Sequence, residues 1–224
     1  MTSVTMKTFP TPKLESASLL LTTTEIADPR PIFDMAAYVV SQLPSLADQG
    51  LSGYAFIFRA FPNPFDGGNT TVGGIIFTGV LQDSAPEELR ALWDPILAHV
   101  AATWPGLFLP LYEGAKSYPS FMGWFAENYD MSTPGENVYL GSRLLDRDSL
   151  TANLTKTSEA FERFTDGEIS TAYLVSGKGV HNAKPRGCGN AVLPAWRKAY
   201  IHASTSSLHT QALSHRLMTI MSLD

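Results

Sequence analysis

Five side chains interrupt strands that are otherwise apolar: Arg59, Thr78, Tyr139, Arg143 and Tyr173. A guanidinium on a buried strand must meet a carboxylate of the fold or face a ligand, because an unpaired buried charge is costly. A tyrosine on a sheet face can donate to a substrate carbonyl, or act as a base where its pKa is lowered. The other reading is ordinary strand residues with local partners, and the sequence leaves both open. Tyr139, Arg143 and Tyr173 form the candidate catalytic set. Tyr54, Phe56, Phe58, Arg59 and Thr78 form the candidate substrate-binding set.

Other chemistries leave no trace. There is no GxGxxG after a strand, no GxxxxGK[ST], no GxSxG and no HExxH. His99, His181, His202, His209 and His215 are scattered and read as surface or structural side chains. His209 and His215 are spaced wrongly for two ligands on one helical face. Asp146 and Asp148 flank Arg147 in what reads as a solvated turn. The stretch 177–189 holds Lys178, His181, Lys184 and Arg186 among glycines, and an anion could rest there. Its single cysteine, Cys188, excludes an internal disulfide and a thiolate-rich metal site. N-x-[ST] patterns at Asn69 and Asn153 are too short to be informative.

The composition narrows the class. The 224 residues could make one large domain or two small ones, and 44% hydrophobic residues provide ample core. Only 17% are charged, which is lean for a freestanding domain and fits a surface that rests against something else. A net charge of −5 argues against nucleic acid as a partner. No run approaches the roughly 18 apolar residues of a membrane span. The first ten residues lack the basic-then-apolar pattern of a signal peptide, which leaves localisation open.

These candidate residues need elements to position them. The central stretch 53–81 reads as a hairpin: strands Tyr54 to Phe61 and Val72 to Leu81 flank a middle rich in Pro, Asn, Asp and Gly. Both runs are apolar on both faces, so the hairpin belongs inside a larger sheet. Strands are also predicted over Thr2 to Phe9 and Ser16 to Thr24, and a helix starts at Asp28 and Pro29 and closes at Gly50. A strand starting almost at residue 1 implies chain upstream of it. Ser84 is the expected N-cap of an amphipathic helix running to Trp104, kinked at Pro95. The aromatic stretch 107–130 reads as irregular, either covering a sheet edge or lining a pocket, with a short helix over Ser120 to Asn128. Val138 to Leu145 is a strand. Ser149 caps a helix to about Phe164, and Ile169 to Val175 and Arg197 to Ala203 are the last strands. The tail 204–224 reads as a marginal amphipathic helix or as unfolded. Hairpin neighbours and long loops predict an α+β fold, a mostly antiparallel sheet with helices on one face.

Four ordered segments resemble a known family: TSVTMKTFPTPKL, the hairpin GYAFIFRAFPNPFDGGNTTVGGIIFTGVL, ENVYLGSRLLDRDSL and PAWRKAYIHA. Together they are similar to fungal FAD-linked oxidases of the berberine-bridge-enzyme-like group, of vanillyl-alcohol-oxidase type (the FAD-binding PCMH family). The likeness covers roughly residues 2–203. It implies that this chain is the middle, substrate-binding section of such an enzyme, with 204–224 a divergent tail. The family's flavin-linking histidine and cysteine and its glycine-rich pyrophosphate loop lie in another section, and no position here matches them. Family membership implies oxidation of a small, secondary-metabolite-like substrate by FAD. For this chain the expectation is a truncated product that binds no FAD and has no redox activity alone. The resemblance also implies an exposed, apolar sheet face where the flavin section would sit. That face is a place for self-association or for a separate FAD-binding domain. A different class of function stays open, a flavin-independent cyclase or isomerase that uses the retained pocket, with Tyr139, Arg143 and Tyr173 as its polar groups.

Overall fold

The computed structural model describes residues 3, 5–6, 8–24, 26–63, 66–112, 114–129, 131, 139–165, 169–184 and 192–207. The side chains of residues 139, 206 and 207 are not among them.

Eight strands are present: β1 (Leu14–Thr23), β2 (Ser52–Pro62), β3 (Thr71–Gln82), β4 (Leu109–Tyr112), β5 (Lys116–Tyr118), β6 (Tyr139–Asp146), β7 (Ile169–Leu174) and β8 (Ala199–Ser207). They form one sheet in the order β4-β1-β3-β2-β7-β8-β6, and β5 extends the edge beside β4. Every pairing is antiparallel. The helices are α1 (Arg30–Asp48), α2 (Pro86–Thr103), α3 (Phe121–Asn128), α4 (Arg147–Thr151), α5 (Leu154–Phe164) and the single turn α6 (Lys178–His181). The α+β expectation holds.

Alternation along the strands divides the sheet into two faces. Leu19, Leu21, Ala55, Ile57, Ile75 and Phe77 join α1, α2, α4 and α5 in the main core. Leu20, Phe56, Phe58, Ile76 and Ile169 form a second, smaller cluster on the opposite face. The central hairpin is thus buried on both sides, as its two-faced apolar runs predict. A bulge between Phe58 and Phe61 in β2 shifts its register against β3.

α1 is apolar around most of its circumference, and Ile32, Phe33, Met35, Ala36, Val39, Val40 and Leu43 are fully buried. Gly50, at φ +103°, lets the chain leave the helix through a left-handed turn. On the outer side, Arg30 of α1 approaches Glu159 and Glu162 of α5 at 3.8 and 3.7 Å, and Ser158 donates to Asp34 at 2.5 Å.

Several local expectations need correction. The described residues of 2–9 belong to no strand, and Met6 and Phe9 are 79% and 73% exposed. β1 already has β3 on one side and β4 and β5 on the other, so no edge is left for them there. The N-cap of α2 is Ala85, not Ser84. Pro86 occupies the first turn, and Glu88 reaches back to accept from the Ala85 N–H at 2.8 Å. α2 runs through Pro95 to Thr103, with Pro95 on the exposed side. The stretch read as irregular contributes β4 and β5. The helix expected over Ser149 to Phe164 is two helices, because Asn153 caps a new one by accepting from Lys156 N–H at 3.0 Å. Asp146 caps α4, taking the Ser149 N–H and hydroxyl at 2.9 and 2.7 Å. A 3-10 turn at Pro194–Arg197 occupies the start of the strand expected from Arg197. β8 continues past Ala203 to Ser207, so the first four residues of the expected tail 204–224 are strand paired with β6; the rest of the tail, with His209 and His215, lies outside the described residues, as do Arg186 and Cys188.

Two measurements test this packing. Trp93 is fully buried, 4.8 Å from the Phe77 ring, and its indole N–H has no acceptor among the described residues. Trp93→Ala should cost about 3–5 kcal/mol. Trp93→Phe should cost less, since it keeps most of the volume and removes an unpaired donor. Equal losses in urea unfolding would show that the indole is not held this way. The second test is acid dependence. Its bonds from Ser149 hold the Asp146 carboxyl below the usual range. The cap's contribution is therefore complete above the unfolded pKa of about 3.9 and fades as pH falls through the folded value. Asp146→Asn still accepts the N–H but no longer titrates, so its drop in Tm between pH 6 and pH 3 should be smaller than the parent's.

Candidate functional site

On the second face, the register lines up side chains from five strands. Ser18 pairs with Thr78, Thr78 with Tyr54, Tyr54 with Tyr173, and Tyr173 with His202. Partners in antiparallel register share a face, so these five form one row across the sheet. The Ser18 and Thr78 hydroxyls are 3.2 Å apart. Ring centroids are 6.4 Å apart for Tyr54 and Tyr173 and 6.5 Å for Tyr173 and His202. Trp196, on the 3-10 turn before β8, closes the row with its ring 5.3 Å from His202. Phe56 stands edge-on to Tyr54 at 5.6 Å, and Phe58 lies further along β2 against Phe61 at 5.7 Å.

Tyr54, Tyr173 and His202 are half-buried, presenting ring faces and polar atoms together. Neither the Tyr173 hydroxyl nor the His202 imidazole has a hydrogen-bond partner among the described residues. A phenol beside an imidazole can donate to a substrate oxygen and can move a proton between two positions. The surrounding aromatic faces suit a flat, largely apolar molecule.

The predicted site residues separate. Tyr54, Phe56, Phe58, Thr78 and Tyr173 share the second face. Arg59 and Arg143 do not. The Arg59 guanidinium lies 3.6 Å from Glu162 of α5 and 5.8 Å from the Phe33 ring centre, on the helix-covered side. Of the two fates open to a strand guanidinium, Arg59 meets a carboxylate of the fold. Arg143 pairs in register with Ala203, a residue of the main core, and lines a cavity beneath α5. Tyr139 lies on β6 opposite Ser207, and its side chain is outside the described residues. Of the three candidate catalytic residues, only Tyr173 stands in the row.

The expectation of a bare apolar face needs correction at its centre. Phe56, Phe58 and Thr78 are only 4%, 0% and 5% exposed. None of the main-core helices covers them, since those lie on the other side. From this side α3 reaches β1, where the Trp124 indole N–H donates to the Ser16 hydroxyl at 3.3 Å.

His202 is the residue the sequence reading passed over. Its signal is the alternation Ile201-His202-Ala203 within the segment PAWRKAYIHA, which puts an imidazole opposite two small or apolar core residues. The other described histidines have local tasks. His99 stacks on Tyr38 at 3.9 Å, where burial pushes the phenol pKa up. His181 approaches Ser176 at 3.2 Å and stands edge-on to Tyr200. Among the described residues no group of His, Cys, Asp and Glu could hold a metal ion. No described helix is long and apolar enough to cross a membrane.

The fold has counterparts among solved structures, each over part of a longer chain. The VAO-type flavoprotein MtVAO713 of Myceliophthora thermophila C1 superposes with a TM-score of 0.75 at 21% identity, over 93% of this chain and 37% of that one. MtVAO615 of the same organism gives 0.63 at 14% identity, over 92% and 35%. In sequence, the chain is 27% identical over 207 residues to the FAD-linked oxidoreductase apf9 of Gibberella fujikuroi, which is 89% of this chain and 34% of that protein. No protein-family model matches. The chain is thus similar to part of an FAD-linked oxidoreductase and shares its fold with part of VAO-type flavoproteins, in line with the resemblance of the four segments. It spans about a third of the length of the proteins it matches.

FAD would need backbone N–H groups for its pyrophosphate, commonly at a glycine-bearing turn into a helix. The turns into α1 to α5 carry no glycine at the cap, while Gly177 caps α6, a helix of a single turn. Among the described residues no helix of more than one turn begins at a glycine.

Hydroxyl deletions test whether Tyr173 is held ready for a ligand. Tyr173→Phe removes a hydroxyl without a partner and should change stability by less than about 0.5 kcal/mol. Thr78→Val breaks the bond with Ser18 and should cost about 1 kcal/mol. If Tyr173→Phe is the more damaging of the two in thermal unfolding, its hydroxyl has a structural task.

Proposed function

We propose that this chain is the substrate-binding section of a berberine-bridge-like FAD-linked oxidoreductase acting on a small secondary-metabolite-like molecule. The observation that carries the reading is the row of half-buried rings Tyr54, Tyr173 and His202, with polar atoms free on the last two. A flat aromatic or polyketide-like substrate would stack along this row, with one oxygen on the Tyr173 hydroxyl. His202 would orient that oxygen or take its proton. Tyr54 and Thr78 shape the near end, and Phe56 and Phe58 support it from below. The flavin would come from another section or a separate chain, so this chain alone carries out no redox turnover. Charge transfer to a cofactor it does not cradle is outside its chemistry.

A second reading rests on the same pair. A phenol and an imidazole 6.5 Å apart by ring centres could assist a non-redox isomerisation or cyclisation of a molecule held in a reactive shape.

The deciding experiment is the visible absorption spectrum of the purified chain, before and during titration with FAD. The expected result is no co-purified flavin bands and no shift of the free-flavin peaks. Bands that co-purify or shift on titration would mean that the chain builds a flavin site, and the statement that it is redox-silent alone would fall. Turnover of a candidate substrate without flavin, lost in Tyr173→Phe, would replace the first reading with the second.

A further inference from the structure

An open cavity of about 400 Å³ lies at the surface on the helix-covered side of the sheet, between the β6–β8 pair and helices α4 and α5, with Arg143, Asp148 and Lys156 exposed at its mouth. Leu145 and Ala203 line it from the strands, and Phe161 and Phe164 from α5. Its volume falls in the range of small-molecule sites, about 300–1,000 Å³. Most polar groups around it are already engaged. Asn153 caps α5, the Thr157 hydroxyl donates to the Ser149 and Asn153 carbonyls, and the Ser149 hydroxyl donates to Asp146. Three charged side chains remain: Arg143, Lys156 and Asp148. None of their side chains has an ion pair or hydrogen bond among the described residues. Two cations against one carboxylate leave the cavity one positive charge over, at the N-terminal end of α5, where the helix dipole adds to it.

We infer that this cavity binds a small apolar molecule bearing a single carboxylate. Its hydrocarbon part fills the space between Phe161, Phe164 and Leu145. Its carboxylate takes the Arg143 guanidinium, whose planar fork fits two oxygens, with Lys156 alongside. Arg143 is paired with Ala203, whereas His202 is paired with Leu144, so the cavity and the aromatic row lie on opposite faces of the same strands. The inference therefore stands or falls independently of the proposed function.

The test uses the whole chain and two probes of equal shape, naphthalene-2-carboxylate and the neutral naphthalene-2-carboxamide, titrated by calorimetry. The carboxylate should bind saturably and at least about tenfold more tightly than the carboxamide. Arg143→Gln, at an exposed position on an edge strand, should bring the carboxylate down to the carboxamide's affinity. Ala160→Trp, which fills the cavity from the surface of α5, should abolish both, with circular dichroism showing both variants folded. Equal affinity for the two probes, no saturable binding, or carboxylate binding that survives in folded Ala160→Trp would each overturn the inference. So would a dimer in sedimentation that Arg143→Gln dissociates, since the occupant would then be a second copy of the chain.

Discussion

The contact on which the rest depends is the seating of α1 on β3. At Gly73 a Cβ would stand 2.2 Å from Ile32 Cδ1 and 2.7 Å from the Arg59 carbonyl oxygen. No side chain larger than hydrogen fits there, so the helix comes down directly onto the strand backbone. From that seat, α1 buries Phe33, Val39, Val40 and Leu43 against the sheet and carries α2 and α5 beside it in one core. Once these helices occupy one face, alternation commits Tyr54, Tyr173 and His202 to the other. The aromatic row is a consequence of where α1 can sit.

The same commitment explains why the polar strand residues divide as they do. A guanidinium facing the helices lies within reach of helix carboxylates, and Arg59 finds Glu162. The bulge after Phe58 disturbs the register at that point of the strand. Arg143, further across the sheet on the same face, lies beyond the reach of the α1–α5 charge cluster and beside apolar Phe161 instead. Two arginines that look alike in sequence thus differ because one is opposite an acidic helix face and the other is not. α4 is fastened separately: Arg147 bonds Asp48 at the end of α1 and the Tyr200 hydroxyl, which itself donates to Asp48 at 2.9 Å.

What the sequence made legible was whatever a single element decides for itself. The hairpin 53–81, α1 up to Gly50, and the stripe of α2 were readable because their apolar spacing is local and dense. The mostly antiparallel class followed from hairpin neighbours and long loops, whereas the order of strands in the sheet is set by contacts between distant elements. The errors came where a neighbour decides. β4 and β5 are four and three residues long and exist only because β1 has a free edge for them. The split between α4 and α5 turned on Asn153 outcompeting helix continuation with its own cap. Thr78 and Tyr173 stand out in the sequence as exceptions on apolar strands, but the face they share with Tyr54 is set by the register. His202 was passed over because histidines were weighed for metal spacing and not for position on a strand.

The likeness to flavoproteins several times longer gives the two faces different meanings. Under the proposed function, the sheet would offer one surface to the reacting partner and keep the other for its own stability. Here the stabilising face is the one α1 sits on, where Ala55, Ile57, Ile75 and Phe77 of β2 and β3 join the main core. The other face trades aliphatic side chains for rings with polar ends, exactly along the row where β2, β7 and β8 meet. Rings with polar ends are half-buried without penalty, because their faces pack while their hydroxyl or imidazole nitrogen remains accessible. A structural face would have gained more from valine or isoleucine at Tyr173 and His202, and would have left no unpaired phenol beside an imidazole. That composition is what the proposed substrate-binding role would need from this face.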